Sequence, residues 1–175
     1  PEQRTRLTDE EVIARCPWAT TGRTHHRTPN IITSLELDPA EMEKRNIHLQ
    51  KKYAEIEENE VRFEELHCED AEYLIVAFGS CARIAQKAME MAREEGIKVG
   101  LLRPITLWPF PSKAIAARAA QVKGILTVEL NAGQMVEDVR LAVKCKVPVE
   151  HFGRLGGIVP DPDEVITALK EKLIK

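Results

Sequence analysis

From residue 61 onward, short apolar runs alternate with helical patterns, and this alternation constrains the fold more than any other feature. Tyr73–Phe78 (YLIVAF) is apolar throughout, as expected of a strand that helices cover on both faces. The predicted strands cover 73–78, 97–102, 124–130 and 147–152, and the predicted helices cover about 81–95, 112–122, 133–143 and 161–174. Strands and helices in this order predict an α/β fold, a three-layer doubly wound sheet.

Residues 61–66 (VRFEEL) differ from the other predicted strands, because charges occupy half of the segment. Such a strand suits a sheet edge, and one interpretation makes it antiparallel to the others. The helix ends carry separate signals. Ser80 is predicted to cap the helix over 81–95, Gly96 to end it in the left-handed conformation, and Asp161 to cap the last helix.

The first 60 residues are less like a folded domain. Asp38-Pro39 opens a helix over about 39–57, whose apolar stripe is so narrow that the helix must lie on a surface. The sequence predicts a linker or arm over 1–60, leading from a missing upstream domain, and an α/β domain over 61–175. The start at Pro1, without an initiator methionine, agrees with a longer protein.

Charge and hydropathy exclude two classes of function. The net charge is −3, so no basic surface for nucleic acid is indicated. No apolar run approaches the roughly 18–20 residues of a membrane span, and no signal peptide is evident, so a cytoplasmic location is expected by default. Cys16, Cys68, Cys81 and Cys145 form no C-x-x-C pair, which argues against a zinc or iron–sulfur site within this chain. Cys81 and Cys145 are expected to be reduced and mostly structural.

Two loops are the best candidates for a site. In a doubly wound sheet, ligands bind beyond the carboxyl ends of the strands where the strand order reverses. This places a crevice between Phe78–Ser80 and the loop ELNAGQ, which brings together Glu129, Asn131 and Gln134. One interpretation is a helix cap with a satisfied buried carboxylate, and the other is contact with a partner subunit or ligand.

Glycine-rich segments suggest anion contacts. Gly79 and Ser80 stand at a helix start, where free backbone N–H groups could hold an anion. Arg154, Gly156 and Gly157 lie in a second loop, for which a tight connection is favoured over a phosphate cradle. Neither nucleotide-binding glycine motif is present, so a nucleotide site is unsupported.

A catalytic set is not evident within the chain. Ser80 has no histidine in a recognisable relation to it, and His25-His26, the only histidine cluster, lacks the further ligands of a metal site. His151 is isolated in the sequence.

The segment 101–111, LLRPITLWPFP, follows a predicted buried strand. Its prolines would stiffen the exit and hold Trp108 and Phe110 outward as interface anchors. The alternative is a connection that packs on its own domain. Arg103 is expected to pair with a carboxylate across an interface, either Glu129 or one on a partner.

Three stretches together carry a family resemblance: DAEYLIVAFGSCARIAQKAMEMAREEGIKVGLLRPITLWPFP, VELNAGQMVEDVRLAV and VEHFGRLGG. They closely resemble the C-terminal, transketolase-like domain of the alpha subunit of 2-oxoacid:ferredoxin oxidoreductases, nearest the 2-ketoisovalerate (branched-chain) type. The upstream pieces PWATTG and NIITSLELDPAEMEKRNIHLQKKYAEIEENEVRFEE resemble that subunit's connection from its preceding domain.

The resemblance implies a mixed sheet of five strands with the first antiparallel. It also implies an enzyme that decarboxylates a 2-oxoacid on thiamine diphosphate with Mg, passes electrons through iron–sulfur clusters to ferredoxin, and transfers the acyl group to coenzyme A. This chain would hold none of those cofactors. Its partners would be the thiamine-binding beta subunit, a gamma subunit and a ferredoxin-like delta subunit.

Within that enzyme, the resemblance gives the domain a role in assembly and in the wall of the active site. Coenzyme A or another anion would contact Gly79, Ser80, Arg154, Gly156 and Gly157. Without the resemblance, the alternative is a stand-alone, flavodoxin-like module that takes an anionic small molecule at Gly79-Ser80.

Overall fold

The computed structural model describes residues 6–18 and 33–174, which fall into two compact units that divide after Ile47. In the first unit, helix α1 (Asp9–Arg15) begins at a capping box. The Thr8 hydroxyl accepts from the Glu11 N–H, and the Glu11 carboxylate accepts from the Thr8 N–H. The apolar pattern did not predict this short helix, because none of its residues is buried.

Helix α2 covers Pro39–Asn59, in place of the predicted 39–57, and has no buried residue. It begins where the sequence indicates, because the Asp38 carboxylate accepts from the N–H groups of Ala40 and Glu41 at 2.8 and 3.2 Å. The wider division into an arm over 1–60 and a domain over 61–175 stays a prediction. Among the residues that the structure describes, no helix combines the length and apolarity of a membrane span.

The remaining elements form the α/β sheet that the sequence predicts. In chain order they are β1 (Phe63–Leu66), β2 (Tyr73–Ala77), α3 (Gly79–Glu94), β3 (Val99–Pro104), α4 (Ser112–Ala119), β4 (Gly124–Glu129), α5 (Met135–Val143), β5 (Val149–Gly153) and α6 (Pro162–Leu173). The strand order is β1-β3-β2-β4-β5. β1 pairs antiparallel with β3, and the other pairs are parallel. The doubly wound, mixed five-stranded sheet with an antiparallel edge is confirmed.

The helices cover both faces of the sheet and so divide the core in two. Ile75 and Ala77 of β2 point to the layer of α3 and α6, whereas Leu74 and Val76 point to the layer of α4 and α5. Both sets are at most 1 % exposed. This burial explains why β2 reads as a continuous apolar run instead of an alternating one.

The predictions of the helix ends are confirmed at two positions and wrong at a third. Gly96 adopts φ +85° just after α3, as predicted, and Asp161 forms a capping box with Glu164 at the start of α6. The prediction that Ser80 caps α3 is wrong. The helix begins two residues earlier than predicted, at Gly79, and its N-cap residue Phe78 makes no side-chain capping bond.

The buried cysteines lie in opposite layers. Cys68 packs in the core beside α4 and α5, and Cys81 packs in the core beside α3. Burial raises the pKa of the Cys68 thiol to about 11 and also raises that of Cys81. Cys145, expected to be structural, is exposed in the turn after α5, so that expectation is wrong.

We expect iodoacetamide at pH 8 to alkylate Cys145 in the folded chain at least 100-fold faster than Cys68 or Cys81, because the thiolate is the reactive form and requires access. Peptide mass spectrometry after timed quenching measures the three rates. In 6 M guanidinium chloride the rates should converge. Rapid native alkylation of Cys68 would contradict the packing described above.

An ion pair fastens β1 to α4. Arg118 Nε and Nη2 donate to the Glu65 carboxylate at 2.9 and 2.6 Å, and the pair is about four-fifths buried. The hydrogen bond from Arg118, supported by its charge, lowers the pKa of Glu65 below its ordinary value of 4.5. A carboxyl group with a lowered folded-state pKa stabilises the fold above its unfolded pKa and loses that effect as the pH falls.

We expect Glu65→Gln to lower the free energy of unfolding by about 1–2 kcal/mol at pH 7. The gap to the wild type should close as the pH falls from about 4.5 through the lower pKa of folded Glu65. Urea unfolding at pH 7, 4.5 and 3 measures the difference. Asp70 and Glu72, whose pKa values Arg93 and Lys123 lower, keep their own acid sensitivity in both proteins. A gap that stays constant with pH would contradict the assignment.

Candidate functional site

The carboxyl ends of β2 and β4 lie side by side, as predicted. The two strands are parallel neighbours in which Ala77 stands beside Val128. The chain after β2 continues toward β3 on one side, and β4 is added on the other, so the strand order reverses between them. The loops over 78–80 and 130–134 therefore meet at the switch point of the sheet.

Glu129 caps helix α5 from inside the protein. Its side chain is fully buried. Oε2 accepts from the N–H groups of Gln134 and Met135 at 3.1 and 2.8 Å, and Oε1 accepts from Val136 at 3.0 Å. The carboxylate thus satisfies free donors at the helix start and lies at the positive end of the helix dipole. Of the two interpretations of ELNAGQ, the geometry supports the satisfied buried carboxylate for Glu129.

Arg103 does not pair with Glu129, so that alternative is wrong, and pairing with a carboxylate on a partner stays a prediction. Its Nη1 donates to Glu64 Oε2 at 2.8 Å. Glu64 stands opposite Arg103 in the antiparallel register of β1 and β3, which brings the two side chains together on one face. Both side chains remain about half exposed.

His151, which the sequence left isolated, is part of the Glu129 environment. In β5 it stands opposite Thr127 of β4. Its Nδ1 lies 3.4 Å from Glu129 Oε1 and 3.3 Å from Thr127 Oγ1. Thr127 donates its own proton to the Glu150 carbonyl at 3.2 Å, so both neighbours of Nδ1 accept. His151 thereby brings β5 into contact with the buried carboxylate that caps α5.

Gly153 allows this arrangement because no side chain fits there. A Cβ would collide with the Asn131 carbonyl oxygen and lie 2.7 Å from His151 Nε2. The only sequence signal for His151 was its place in the strand after Glu129, and the register that joins them depends on the folded sheet.

Asn131 and Gln134 reach the surface of the same loop. The Asn131 Oδ1 accepts from the Gly133 N–H at 2.7 Å, which tightens the turn, and Gln134 is exposed just before α5. Their predicted place at an interface or active-site rim stays a prediction.

The predicted anion contacts occupy two exposed loops. Gly79 and Ser80 are exposed at the start of α3, and Gly79 has φ +57° with open space around it. Arg154 is engaged within the chain, because its Nη1 lies 2.9 Å from Glu164 Oε1. Gly156 and Gly157 have φ +64° and +83°, a conformation that favours glycine in a tight connection. The anion role of all five stays a prediction.

Apolar side chains are exposed in the loops that follow β3, β4 and β5. We call them the carboxyl-edge apolar residues: Ile105, Leu107, Trp108, Leu130, Leu155, Ile158 and Val159. Each is between 45 % and 61 % exposed. Surface loops of this kind are usually polar, so repeated large apolar side chains at one edge indicate a surface that contacts something else.

Trp108 and Phe110 differ in their exposure. Trp108 is 55 % exposed, and its ring meets the Tyr53 ring edge-on with 5.6 Å between centroids. Phe110 is half-buried against the core beside α4, so the prediction that it is held outward is wrong. Both side chains line a groove of about 730 Å³. The role of either residue as an interface anchor stays a prediction.

No group of three or more histidine, cysteine or acidic side chains is placed to hold a metal ion within residues 6–18 and 33–174. His25 and His26 lie outside the described residues.

Sequence comparison supports the resemblance. The family model "Pyruvate:ferredoxin oxidoreductase core domain II" matches residues 71–165. The chain is 46% identical over 165 residues to the ketoisovalerate oxidoreductase subunit VorB of Methanothermobacter thermautotrophicus, covering 93% of this chain and 46% of that protein. It is 33% identical over 101 residues to the 2-oxoglutarate synthase subunit KorA of Methanothermobacter marburgensis, covering 58% of this chain and 27% of that protein. The chain spans less than half the length of these relatives.

Solved structures agree on the fold. The structure of 2-oxoglutarate:ferredoxin oxidoreductase from Magnetococcus marinus with 2-oxoglutarate, coenzyme A and succinyl-CoA bound matches with a TM-score of 0.67 and 25% identity, over 78% of this chain and 24% of that chain. A split-gene transketolase in an inactive beta4 tetramer matches with a TM-score of 0.56 and 20% identity, over 65% of this chain and 41% of that chain. The second match confirms a transketolase-like fold.

Proposed function

This chain belongs to the pyruvate:ferredoxin oxidoreductase core domain II family, and we propose that it is a non-catalytic domain of a 2-oxoacid:ferredoxin oxidoreductase alpha subunit. The whole enzyme would break the bond between the carboxylate and the carbonyl carbon of a 2-oxoacid and release CO2. The acyl group would form a thioester with coenzyme A, and the electrons would pass to ferredoxin. The 46% identity to a ketoisovalerate oxidoreductase subunit favours a branched-chain substrate over 2-oxoglutarate. A cytoplasmic location is part of the proposal.

Thiamine diphosphate, Mg and the iron–sulfur clusters are proposed to be held by other parts of the complex. Cys68 and Cys81 do not fit a cluster, because they are buried on opposite faces of the sheet.

One observation carries the proposed assembly role: large apolar side chains are exposed in the carboxyl-edge loops. Three of the polar groups at this edge, Glu129, Arg103 and Arg154, are engaged in hydrogen bonds or ion pairs within the chain. The carboxyl-edge apolar residues remain exposed. Apolar surface on a domain of a multisubunit enzyme is typical of the contact with a neighbouring subunit. We propose that beta, gamma and ferredoxin-like delta subunits complete the complex.

The exposed loops at the switch point give the proposal its finer part. Coenzyme A is bound in the structure from Magnetococcus marinus. The phosphates of coenzyme A would suit the backbone N–H groups of Gly79 and Ser80 at the start of α3. The loop at Gly156 and Gly157, which follows β5, would offer a second contact with open space around its glycines. Arg154 would have to leave Glu164 to take part.

Co-expression of the whole alpha subunit that contains this chain with the other subunits tests the proposal. We expect a stable complex that reduces ferredoxin in the presence of coenzyme A, fastest with 3-methyl-2-oxobutanoate and more slowly with 2-oxoglutarate or pyruvate. A fast rate with 2-oxoglutarate alone would overturn the substrate class but leave the enzyme role intact.

The stand-alone module is the outcome that would overturn the enzyme role. In that case the chain would purify without other subunits, and FMN or a nucleotide would raise its melting temperature. Assembly with the other subunits, together with a melting temperature that FMN does not change, would contradict the stand-alone module.

A further inference from the structure

The groove beside Trp108 has an apolar floor within the second unit. It lies between the end of α2, the segment that leads into β1, and the loop between β3 and α4. Trp108 and Phe63, which are 55 % and 39 % exposed, supply aromatic surface. Pro109 and Pro111 also line the groove, are buried, and restrict the backbone of the loop. Such a floor binds apolar side chains with little loss of conformational entropy.

One end of the groove is acidic. Glu57 and Glu58 line it, are exposed, and make no ion pair within the described residues. They lie in the last turn of α2, which has no basic residue, and the carbonyl end of a helix adds about half a negative charge. Lys113, the basic residue that lines the groove, balances only one of the two carboxylates.

The neighbouring charges do not neutralise this end. Glu60 is bound by Arg62, whose Nη2 lies 2.8 Å from Glu60 Oε2. The Asn59 side chain donates to the Glu55 carbonyl at 2.8 Å and so does not contact the carboxylates of Glu57 and Glu58. The groove therefore combines a cation-attracting end with an aromatic floor.

We propose that this groove receives an extended segment of a neighbouring subunit, in which an arginine lies beside apolar side chains. The guanidinium would bind Glu57 or Glu58 in a fork and lie over the Trp108 ring, which attracts a cation through its face. Arginine suits both contacts better than lysine, because it is planar and less strongly hydrated. The apolar neighbours of the arginine would cover Phe63 and the prolines. The inference rests on the proposed function only for the identity of the neighbouring chain.

Photo-crosslinking in the co-expressed complex tests the occupant. With Lys113→p-benzoylphenylalanine at the groove, we expect a cross-link to another subunit, at a segment where an arginine lies within about three residues of the cross-linked atom. The same probe at Glu94, at the end of α3 near the amino ends of the parallel strands, should not cross-link to that segment. Three kinds of cross-link would overturn the proposal: one within the chain itself, one to a small molecule, and one to a segment without arginine. The absence of any cross-link would also overturn it.

Charge exchange supplies the second measurement. Glu57→Lys with Glu58→Lys should weaken assembly about tenfold, measured as the apparent Kd by light scattering on dilution. Replacing the cross-linked arginine by glutamate should weaken it similarly, and the combined variant should recover most of the loss. Glu69→Lys with Glu94→Lys, the same change in charge at the opposite edge, should have no effect.

The outcomes separate the two proposals. If the unaltered chain does not assemble with the other subunits, the proposed function fails. If it assembles and the charge exchange shows no recovery, the enzyme role survives and the occupant proposed for the groove is wrong.

Discussion

Replacing Glu129 with alanine is expected to lower the free energy of unfolding by about 4 kcal/mol, and the melting temperature by roughly 10 °C or more. The carboxylate is fully buried and accepts from three backbone N–H groups at the start of α5. Two of these N–H groups belong to Met135 and Val136, which are themselves buried, so water cannot replace the lost acceptor. Unsatisfied buried donors carry their full desolvation cost.

Glu129→Gln keeps the volume of the side chain but removes one of its two acceptor oxygens, so it separates these two contributions to stability. One oxygen remains to accept, but the amide places its own donors against backbone N–H groups, so an intermediate loss of about 2 kcal/mol is expected. Glu137→Gln is the matched control, because it removes an exposed acidic charge from the first turn of the same helix. Its cost should be a few tenths of a kcal/mol.

Urea unfolding of the three variants at pH 7 measures these differences. A loss for Glu129→Ala no greater than that for Glu137→Gln would contradict the capping role. Because His151 Nδ1 also faces Glu129, a change in its NMR signal in Glu129→Ala would report on the same contact.

The core of the fold could be predicted from the sequence, because burial on both faces leaves continuous apolar runs. Tyr73–Phe78 corresponds to β2, and Gly124–Leu130 corresponds to β4 with a difference of one residue. The switch point followed from the usual winding of such sheets. The segments LLRPITLWPFP and ELNAGQM, which indicated the family, both lie within the matched residues 71–165.

The contacts between side chains could not be predicted in the same way, because they depend on register. The sequence leaves Glu129 and a partner's carboxylate as candidates for Arg103, but the antiparallel pairing of β1 places Glu64 opposite it. His151 is isolated in the sequence because Glu129 belongs to a different strand. A shift of one residue in the register of either strand pair would move these side chains to opposite faces of the sheet. The sequence pattern alone does not specify that register.

Trp108→Ala is expected to weaken assembly of the complex about 100-fold, while the melting temperature of the chain itself falls by only a few degrees. Buried aromatic anchors contribute about 2–4 kcal/mol at interfaces, and each tenfold loss in affinity corresponds to about 1.4 kcal/mol. Within the chain, more than half of Trp108 is exposed and its ring contacts Tyr53, so little folding energy is lost.

Two further variants make the comparison specific to the carboxyl edge. Trp108→Phe keeps an aromatic ring and should recover part of the affinity. Leu141→Ala removes an apolar side chain that is 74 % exposed on α5, outside the carboxyl-edge loops, and should change neither assembly nor stability. Light scattering on dilution gives the apparent Kd, and differential scanning calorimetry of the chain gives the melting temperature. If Trp108→Ala lowers the melting temperature strongly and leaves assembly intact, the segment packs on its own domain and Trp108 belongs to its core.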